Sequence, residues 1–128
     1  MDILQIGSLD LAYLGDAVLE LMVRSALVKA GYSGAGRMSK LSLNYVKATA
    51  QSEALEKILP LLTESETGVY KRARNNSKIS APKSATAVQY RRATGLEALF
   101  AYLYLDGQTQ RLEYLFNKAF GPFEGPEQ

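Results

Sequence analysis

Two acidic residues of this sequence stand in apolar stretches: Asp16 in AYLGDAVL and Glu97 in TGLEALFAYLYL. An ionised carboxylate is costly to bury unless a partner compensates for its charge. Most single buried acids have a structural partner, such as a helix cap, an Arg or a Tyr. Glu20 has a candidate of this kind in Arg24, four residues further along a helix. For Asp16 and Glu97 the neighbouring sequence offers none, so a functional role competes with the structural one.

Composition limits that role to a few kinds of chemistry. The 128 residues include no histidine and no cysteine, which excludes Ser–His catalysis, cysteine nucleophiles, thiolate metal sites and disulfides. If the helices that carry Asp16 and Glu97 cross, their carboxylates form an oxygen-ligand site of the kind that Mg²⁺ or Mn²⁺ prefers. A cation in such a site can activate water and neutralise a phosphate. The residues alone therefore point to a metal-dependent phosphodiesterase.

Positive charge is concentrated between these two helices in the sequence. No acidic residue lies between Glu66 and Glu97, whereas seven basic residues do: Lys71, Arg72, Arg74, Lys78, Lys83, Arg91 and Arg92. The rest of the chain contains eight basic and thirteen acidic residues. A block of one sign on a chain of the other sign indicates a polyanionic partner, with a solvated basic face as the alternative.

The first half of the chain has the pattern of helices. Ser8, as an N-cap, begins a helix that runs to residue 30 and is stopped by Gly31. This helix is apolar on more faces than one small domain can cover, which predicts a subunit interface. The segment YSGAGRMSK, 32–40, is a predicted loop because of its Gly and Ser content. A second helix is predicted over 43–59, since Pro60 cannot continue it.

Two capping boxes predict the helices of the second half. Thr63 with Glu66 begins one helix, and Thr86 with Gln89 begins another that ends near the Asp-Gly turn. The stretch NNSKISAPKS between these helices is a loop by composition. A last helix is predicted over 109–120. No β-alternation competes with these patterns, so the predicted fold is all-α, in one domain that spans residues 1–128.

The quoted segments also resemble a known family. LAYLGDAVLELMVRSAL is similar to the signature helix of the ribonuclease III catalytic domain, and RRATGLEALFAYLYLDG is similar to its second acidic helix. The likeness covers nearly the whole chain and, with KRARN, is closest to the Mini-ribonuclease III subfamily, which has no double-stranded-RNA-binding domain. It implies a homodimeric helical bundle of the ribonuclease III endonuclease type. It also implies Mg²⁺-dependent cleavage of double-stranded RNA, with Mn²⁺ as a substitute, and a role in maturing the ends of 23S ribosomal RNA.

The resemblance assigns Asp16 and Glu97 as the catalytic and metal-binding acids. Full-length ribonuclease III has further acids at three places where this chain has Ala12, Thr94 and the Gly-Ala-Gly segment around Ala35. Mini-ribonuclease III shares the first two losses. Fewer acids weaken metal binding unless the phosphate of the substrate supplies ligands.

The basic segment is the predicted RNA-binding surface. Phosphate contacts would hold an A-form duplex, which is recognised by shape, phosphates and 2′-hydroxyls. The predicted RNA-binding residues are Lys71, Arg72, Arg74, Asn75, Lys78, Lys83 and Arg91. Asn76 is predicted to serve turn chemistry instead.

One alternative function belongs to a different class: a non-catalytic RNA-binding or ribosome-assembly module on the same fold. The presence of both Asp16 and Glu97 favours the enzyme, because a non-catalytic relative has no reason to keep them. A ribosomal protein or a pre-ribosomal particle is a further expected partner. The first residues carry no secretory pattern, so we expect a cytoplasmic protein that has no membrane partner.

Overall fold

The computed structural model describes residues 2–80 and 86–127, which form six α-helices and two short 3-10 turns. The helices are α1 (Ser8–Lys29), α2 (Ala35–Val46), α3 (Ala48–Ile58), α4 (Glu64–Arg74), α5 (Ala87–Leu105) and α6 (Thr109–Phe120). One 3-10 turn, Ile3–Gln5, precedes α1, and the other, Leu59–Leu61, follows α3. The described residues contain no strand, which confirms the all-α prediction.

Helix α5 lies at the centre and packs most extensively against α1, with α4 and α3 beside it. Two glycines allow these helices to approach closely. A Cβ atom at Gly15 would overlap the carbonyl oxygen of Glu97, and a Cβ atom at Gly95 would overlap the ring of Tyr70. Helix α5 is therefore held between α1 and α4, and this packing fixes the position of Glu97 relative to α1.

Aliphatic and aromatic side chains, most of them from α1, α3, α5 and α6, form the main core. Each side chain of this size contributes about 1.5–3 kcal/mol when it is removed from water. The fully buried members of the cluster include Leu19, Val23, Leu55, Ile58, Leu96, Leu99, Phe100, Leu103 and Leu115. This core fixes the relative positions of the two helices that carry the candidate acids.

Helix α1 keeps an apolar face that the described residues of the chain do not cover. Tyr13 is 85% exposed, Leu21 is 63% exposed and Val28 is 59% exposed. A cavity of about 290 Å³ beside this face is lined by residues of α1, α5 and α6, among them Leu14, Leu21 and Tyr104. The prediction that α1 is apolar on more faces than one domain can bury agrees with these exposures.

The predicted capping boxes are present. At the start of α4, the Thr63 hydroxyl accepts a hydrogen bond from the Glu66 N–H (3.2 Å), and the Glu66 carboxylate accepts one from the Thr63 N–H (2.8 Å). Thr86 and Gln89 form the same pair of bonds at the start of α5. The last helix has the predicted bounds, and α1 ends just before Gly31, whose φ is +103°.

The predicted loop over 32–40 is wrong for most of its length, because α2 begins at Ala35. Met38, Leu41 and Tyr45 of this helix pack against the core. Tertiary packing of three apolar side chains therefore outweighs the low helix propensity of the Gly- and Ser-rich segment. Only the part of the segment before Ala35 remains non-helical.

The single helix predicted over 43–59 is two helices. Lys47, with ψ of 152°, is extended and separates α2 from α3. The side chain of Gln51 donates a hydrogen bond to the Val46 carbonyl at 2.8 Å and so satisfies one group at the end of α2. The start of α1 differs from the prediction by one position, because Gly7 is the N-cap and Ser8 is the first helical residue.

In the described ranges, no helix is both long enough and apolar enough to cross a membrane.

Candidate active site

Asp16 on α1 and Glu97 on α5 face each other where the two helices pack together. The neighbouring Gly15 rests directly on the backbone of Glu97, so Asp16 follows immediately after the point of closest approach. Glu97 is half-buried, whereas Asp16 is exposed in the single chain. The expectation that both acids lie on buried surfaces is therefore wrong for Asp16: its position is at the rim of the helix contact.

The environment of Glu97 opposes its ionisation. The pKa of Glu97 is raised to about 8, first by burial and then by the facing Asp16 carboxyl, which acts through its negative charge and as a hydrogen-bond partner. The Nε2 amide of Gln51 donates to Glu97 Oε2 at 3.3 Å and acts in the opposite direction. At neutral pH the protein alone keeps a proton at this pair, and a bound cation would favour its loss.

The two acids line a cleft of about 500 Å³. Its walls come from α1, the α2–α3 junction, the segment after α4, and α5. The lining residues include Tyr13, Asp16, Val46, Gln51, Lys78, Ser80, Tyr90, Thr94 and Glu97. The cleft thus combines two carboxyl groups, one amide and one lysine with both hydroxyl-bearing and apolar side chains.

The places where full-length ribonuclease III has additional acids supply no ligand here. Ala12 is a buried apolar residue. The Thr94 hydroxyl donates to the Tyr90 carbonyl at 2.9 Å, within its own helix. Ala35 begins α2 and is exposed, outside the residues that line the cleft. In the described part of the chain, no group of three or more acidic residues could hold a metal ion.

Lys78 is the predicted RNA-binding residue that lines the cleft with the two acids. It is exposed, and its backbone N–H donates to the Asn76 side-chain oxygen at 2.8 Å. This bond is the turn chemistry predicted for Asn76, and it shapes the segment that carries Lys78. The ammonium group of Lys78 is free to approach an anion in the cleft.

Three other predicted RNA-binding residues line a separate cavity of about 600 Å³, next to Tyr70. They are Arg74, Asn75 and Arg91. Arg91 donates through Nη1 to the carbonyls of Arg74 (3.1 Å) and Asn76 (2.9 Å), so one of its nitrogens caps the end of α4. The basic segment was predicted to form one RNA-binding surface, but its described residues are divided between the acidic cleft, this cavity and exposed positions on α4.

The remaining basic residues of the prediction are Lys71, Arg72 and Lys83. Lys71 and Arg72 are exposed on the last turns of α4. Lys83 lies outside the described residues. Lys78 is thus the described cation in the acidic cleft, and Lys71 and Arg72 lie outside its lining.

A family model for the ribonuclease III domain matches residues 9–108, which include both acids and the whole cleft. The chain belongs to the ribonuclease III family. Within that family it groups with the Mini-ribonuclease 3 proteins. The relative from Symbiobacterium thermophilum is 45% identical over 91% of this chain and 89% of its own length. The relative from Enterococcus faecalis is 40% identical over 91% of this chain and 89% of its own length.

A solved structure supports the same fold. The crystal structure of protein FN1578 from Fusobacterium nucleatum superposes with a TM-score of 0.80 at 34% identity, and the match covers 91% of this chain and 93% of that one. The predicted fold class and family are confirmed, and the protein is an endoribonuclease of the ribonuclease III type. RNA processing by phosphodiester hydrolysis is the activity that this membership establishes.

Sequence reasoning missed Gln51, which touches Glu97 from α3. The residue looks like an ordinary polar position of ATAQSEALEKI, and Gln is common on helix surfaces. Its burial, at 2% exposure, depends on the break between α2 and α3, which was not predicted. Gln51 was missed in this ribonuclease III protein because α2 and α3 were predicted as one helix.

Proposed function

We propose that Asp16 and Glu97 hold a divalent cation, Mg²⁺ or in its place Mn²⁺, and that the protein uses it to cleave double-stranded RNA. The observation that carries this proposal is the pair itself: two carboxyls face each other in an open cleft. The negative charge of one carboxyl raises the pKa of the other, and a divalent cation can bind both groups when they are ionised.

The residues present fit a hard cation that keeps part of its water shell. Two carboxylates supply oxygen ligands, and the buried Gln51 side-chain oxygen has no hydrogen-bond partner among the described residues. Magnesium commonly binds through one or two carboxylates and completes its shell with waters and substrate phosphates. Asp16 and Glu97 would hold the ion, which supplies an activated water and charge neutralisation at the phosphate.

The reaction is hydrolysis of a phosphodiester. A water oxygen forms a bond to phosphorus and the bond from phosphorus to the 3′ oxygen breaks, which leaves a 5′-phosphate and a 3′-hydroxyl. Lys78 lines the same cleft, and its ammonium group would stabilise the charge on the scissile phosphate. The carboxyl of Glu97 gives up its proton when the site is occupied.

The exposed cations extend the interface beyond the cleft. We propose that Lys71, Arg72 and Arg74 contact phosphates along a duplex, and that Asn75 adds a neutral hydrogen bond. Arg91 would contribute through the nitrogens other than its capping Nη1. Lys78 and Lys83 complete the set. Recognition is of the A-form shape, with little reading of bases.

We also propose that the active protein is a homodimer. The exposed apolar face of α1, with Tyr13, Leu21 and Val28, would be covered by a second copy. Paired sites would then cut both strands of a duplex. Light scattering at micromolar concentration should give about twice the 14.0 kDa chain mass. A monomer that still cuts both strands would contradict the dimer.

The natural substrate that we propose is the 23S ribosomal RNA precursor, whose ends this protein would mature in the cytoplasm. The support is the role that the resemblance to the Mini-ribonuclease III subfamily implies, together with the proposed preference for duplex shape. A ribosomal protein or a pre-ribosomal particle would present the precursor. Residues 1–128 would together form a single catalytic domain.

The test is cleavage of one labelled RNA duplex in MgCl₂, in EDTA, and with Asp16→Asn in MgCl₂. We expect cutting in MgCl₂ alone, with 5′-phosphate ends. The Asp16→Asn protein should still bind the duplex in a gel-shift assay. Cutting in EDTA, or wild-type cutting by Asp16→Asn, would contradict the proposed site.

A further inference from the structure

Gln51 is the most buried polar side chain that lines the cleft, and half of its amide has a clear structural role. It is 2% exposed on α3. Its Nε2 group donates to the Val46 carbonyl at 2.8 Å and to Glu97 Oε2 at 3.3 Å. The nitrogen therefore connects the α2–α3 junction to the candidate metal-binding acid.

The other half of the amide lacks a role within the described residues. The Oε1 atom of Gln51 is fully buried and has no hydrogen-bond partner there. A buried acceptor without a partner costs about 1–3 kcal/mol, and native proteins contain few of them. Rotating the amide by 180° does not remove the problem, because Oε1 would then face the oxygens of Val46 and Glu97. The orientation of the Gln51 amide is thus fixed, and the acceptor without a partner among the described residues is its Oε1 atom.

The position of this acceptor suggests what it serves. Gln51 lines the same cleft as Asp16, Glu97 and Lys78. Asp16 and Glu97 offer only acceptors when ionised, and Lys78 is exposed. Neither Ala12 nor Thr94 contributes a third acidic group. A water molecule carried by a bound cation is a donor that would satisfy Gln51 Oε1, since Mg²⁺ retains several waters when few carboxylates bind it.

We propose that Gln51 is a positioning residue for the cation site: its Nε2 fixes the Glu97 carboxylate and its Oε1 accepts a hydrogen bond from a cation-bound water. This inference rests on the proposed metal-binding role of Asp16 and Glu97. The Gln51 amide then has two functions: its nitrogen positions the Glu97 carboxylate, and its oxygen orients a water bound to the cation. Partners of this kind change metal affinity by about 10–100-fold when they are removed.

The experiment measures Mn²⁺ affinity of the RNA-free protein by electron paramagnetic resonance. Gln51→Met keeps an unbranched side chain of similar size and removes both polar atoms, so affinity should fall about 10–100-fold. Gln51→Glu keeps an oxygen acceptor and adds a third carboxylate, so affinity should rise and the metal-free protein should melt at a lower temperature. Ser52→Ala, at a buried polar residue next in α3 and outside the cleft lining, is the matched control and should leave affinity unchanged.

Cleavage gives a second readout that a purely structural role would not change. The Mg²⁺ concentration for half-maximal cleavage by Gln51→Met should rise by the same factor, while the KM for RNA at saturating Mg²⁺ stays near the wild-type value. Wild-type Mn²⁺ affinity in both Gln51 variants would overturn the inference alone. Absence of Mn²⁺ binding by the wild-type protein would overturn the proposed metal site as well.

Discussion

Glu66 and Glu97 are both acids in helices that pack on the core, and their surroundings are opposite. Glu66 is 3% exposed and its carboxylate forms two bonds with Arg111, at 2.8 and 2.9 Å. These bonds lower the pKa of Glu66, despite the opposing effect of its burial. Glu97 faces a second carboxyl, Asp16, and its pKa is raised to about 8.

We propose that this difference separates a structural acid, Glu66, from a functional one, Glu97. Glu66 is paired with a cation of the chain itself, Arg111. Arg111 also donates to the Leu61 carbonyl and so joins α6 to the 3-10 turn that follows α3. Glu97 has only the amide of Gln51 as a hydrogen-bond donor within the described residues. Neither Asp16 nor Glu97 forms an ion pair within the described residues, and we propose that a cation from solution binds the two carboxyls.

The largest expected effect is on cleavage by Glu97→Gln. This change keeps the shape of the side chain but removes a cation ligand, so activity should fall by more than the ~10–100-fold typical for removal of an outer partner. Glu66→Gln is the matched control and should cut RNA at close to the wild-type rate per folded molecule. The measurement is single-turnover cleavage in MgCl₂, with circular dichroism to confirm folding. Comparable losses in both variants would remove the distinction between the two acids.

The second effect is on the free energy of unfolding, and it concerns the pair formed by Glu66 and Arg111. Arg111→Met leaves the buried Glu66 carboxylate without its partner and should lower the free energy of unfolding by about 3 kcal/mol. Adding Glu66→Gln to that variant should restore part of the loss, because no unpaired charge then remains. Urea unfolding at pH 7 measures both changes. If Arg111→Met is as stable as the wild type, the bidentate pair has no structural role.

The third effect is the pH dependence of stability in EDTA. Because the folded-state pKa of Glu97 lies above its ordinary value of 4.5, the folded protein holds more protons than the unfolded one between pH 4.5 and about 8. Its contribution to stability is therefore greatest at low pH and falls as pH rises through this window, by up to about 1.4 kcal/mol per unit. Glu66, with a lowered pKa, contributes stability that is lost only as pH falls below its ordinary range.

Unfolding at pH 5.5 and pH 8 tests this assignment. The loss of stability between the two values should be smaller in Glu97→Gln than in the wild type, whereas Glu66→Gln should keep the wild-type loss. The same loss in all three proteins would mean that Glu97 ionises normally in the folded state.

The smallest effect concerns duplex affinity. It separates RNA binding by basic residues outside the cleft from cation binding by the two acids inside it. Replacing Lys71, Arg72 and Arg74 with Ala should reduce the slope of log affinity against log salt by about one unit for each phosphate that is no longer neutralised. Mn²⁺ affinity should be unchanged, because these residues lie outside the cleft lining. Lys57→Ala, an exposed cation on α3, is the control. An unchanged salt slope would show that this face is merely solvated.

Local signals made much of the fold predictable from the sequence. The boxes at Thr63 and Thr86 use contacts between residues three positions apart, and such contacts are visible in one dimension. The α2 helix was missed because its stability comes from packing of Met38, Leu41 and Tyr45, which composition does not show. The break at Lys47 was missed for the same reason.

The site was predictable only in part. Asp16 and Glu97 stood out as acids in apolar helices, and family resemblance placed them together. Their different exposures, and the contact of Gln51 with Glu97, depend on how α1, α3 and α5 pack. The partner of Glu66 lies 45 residues away in sequence, so the structural character of that acid could not be derived from its neighbours either.

We propose that the Asp16–Glu97 pair exchanges a proton for a cation. Calorimetric titration of the RNA-free protein with MnCl₂ at pH 7, in two buffers of different ionisation enthalpy, measures cation affinity and proton release together. With the pKa of Glu97 at about 8, the wild type and Glu66→Gln should release close to one proton for each Mn²⁺ bound, and Glu97→Gln should bind weakly and release none. Tight binding by Glu97→Gln, or binding by the wild type without proton release, would contradict the claim.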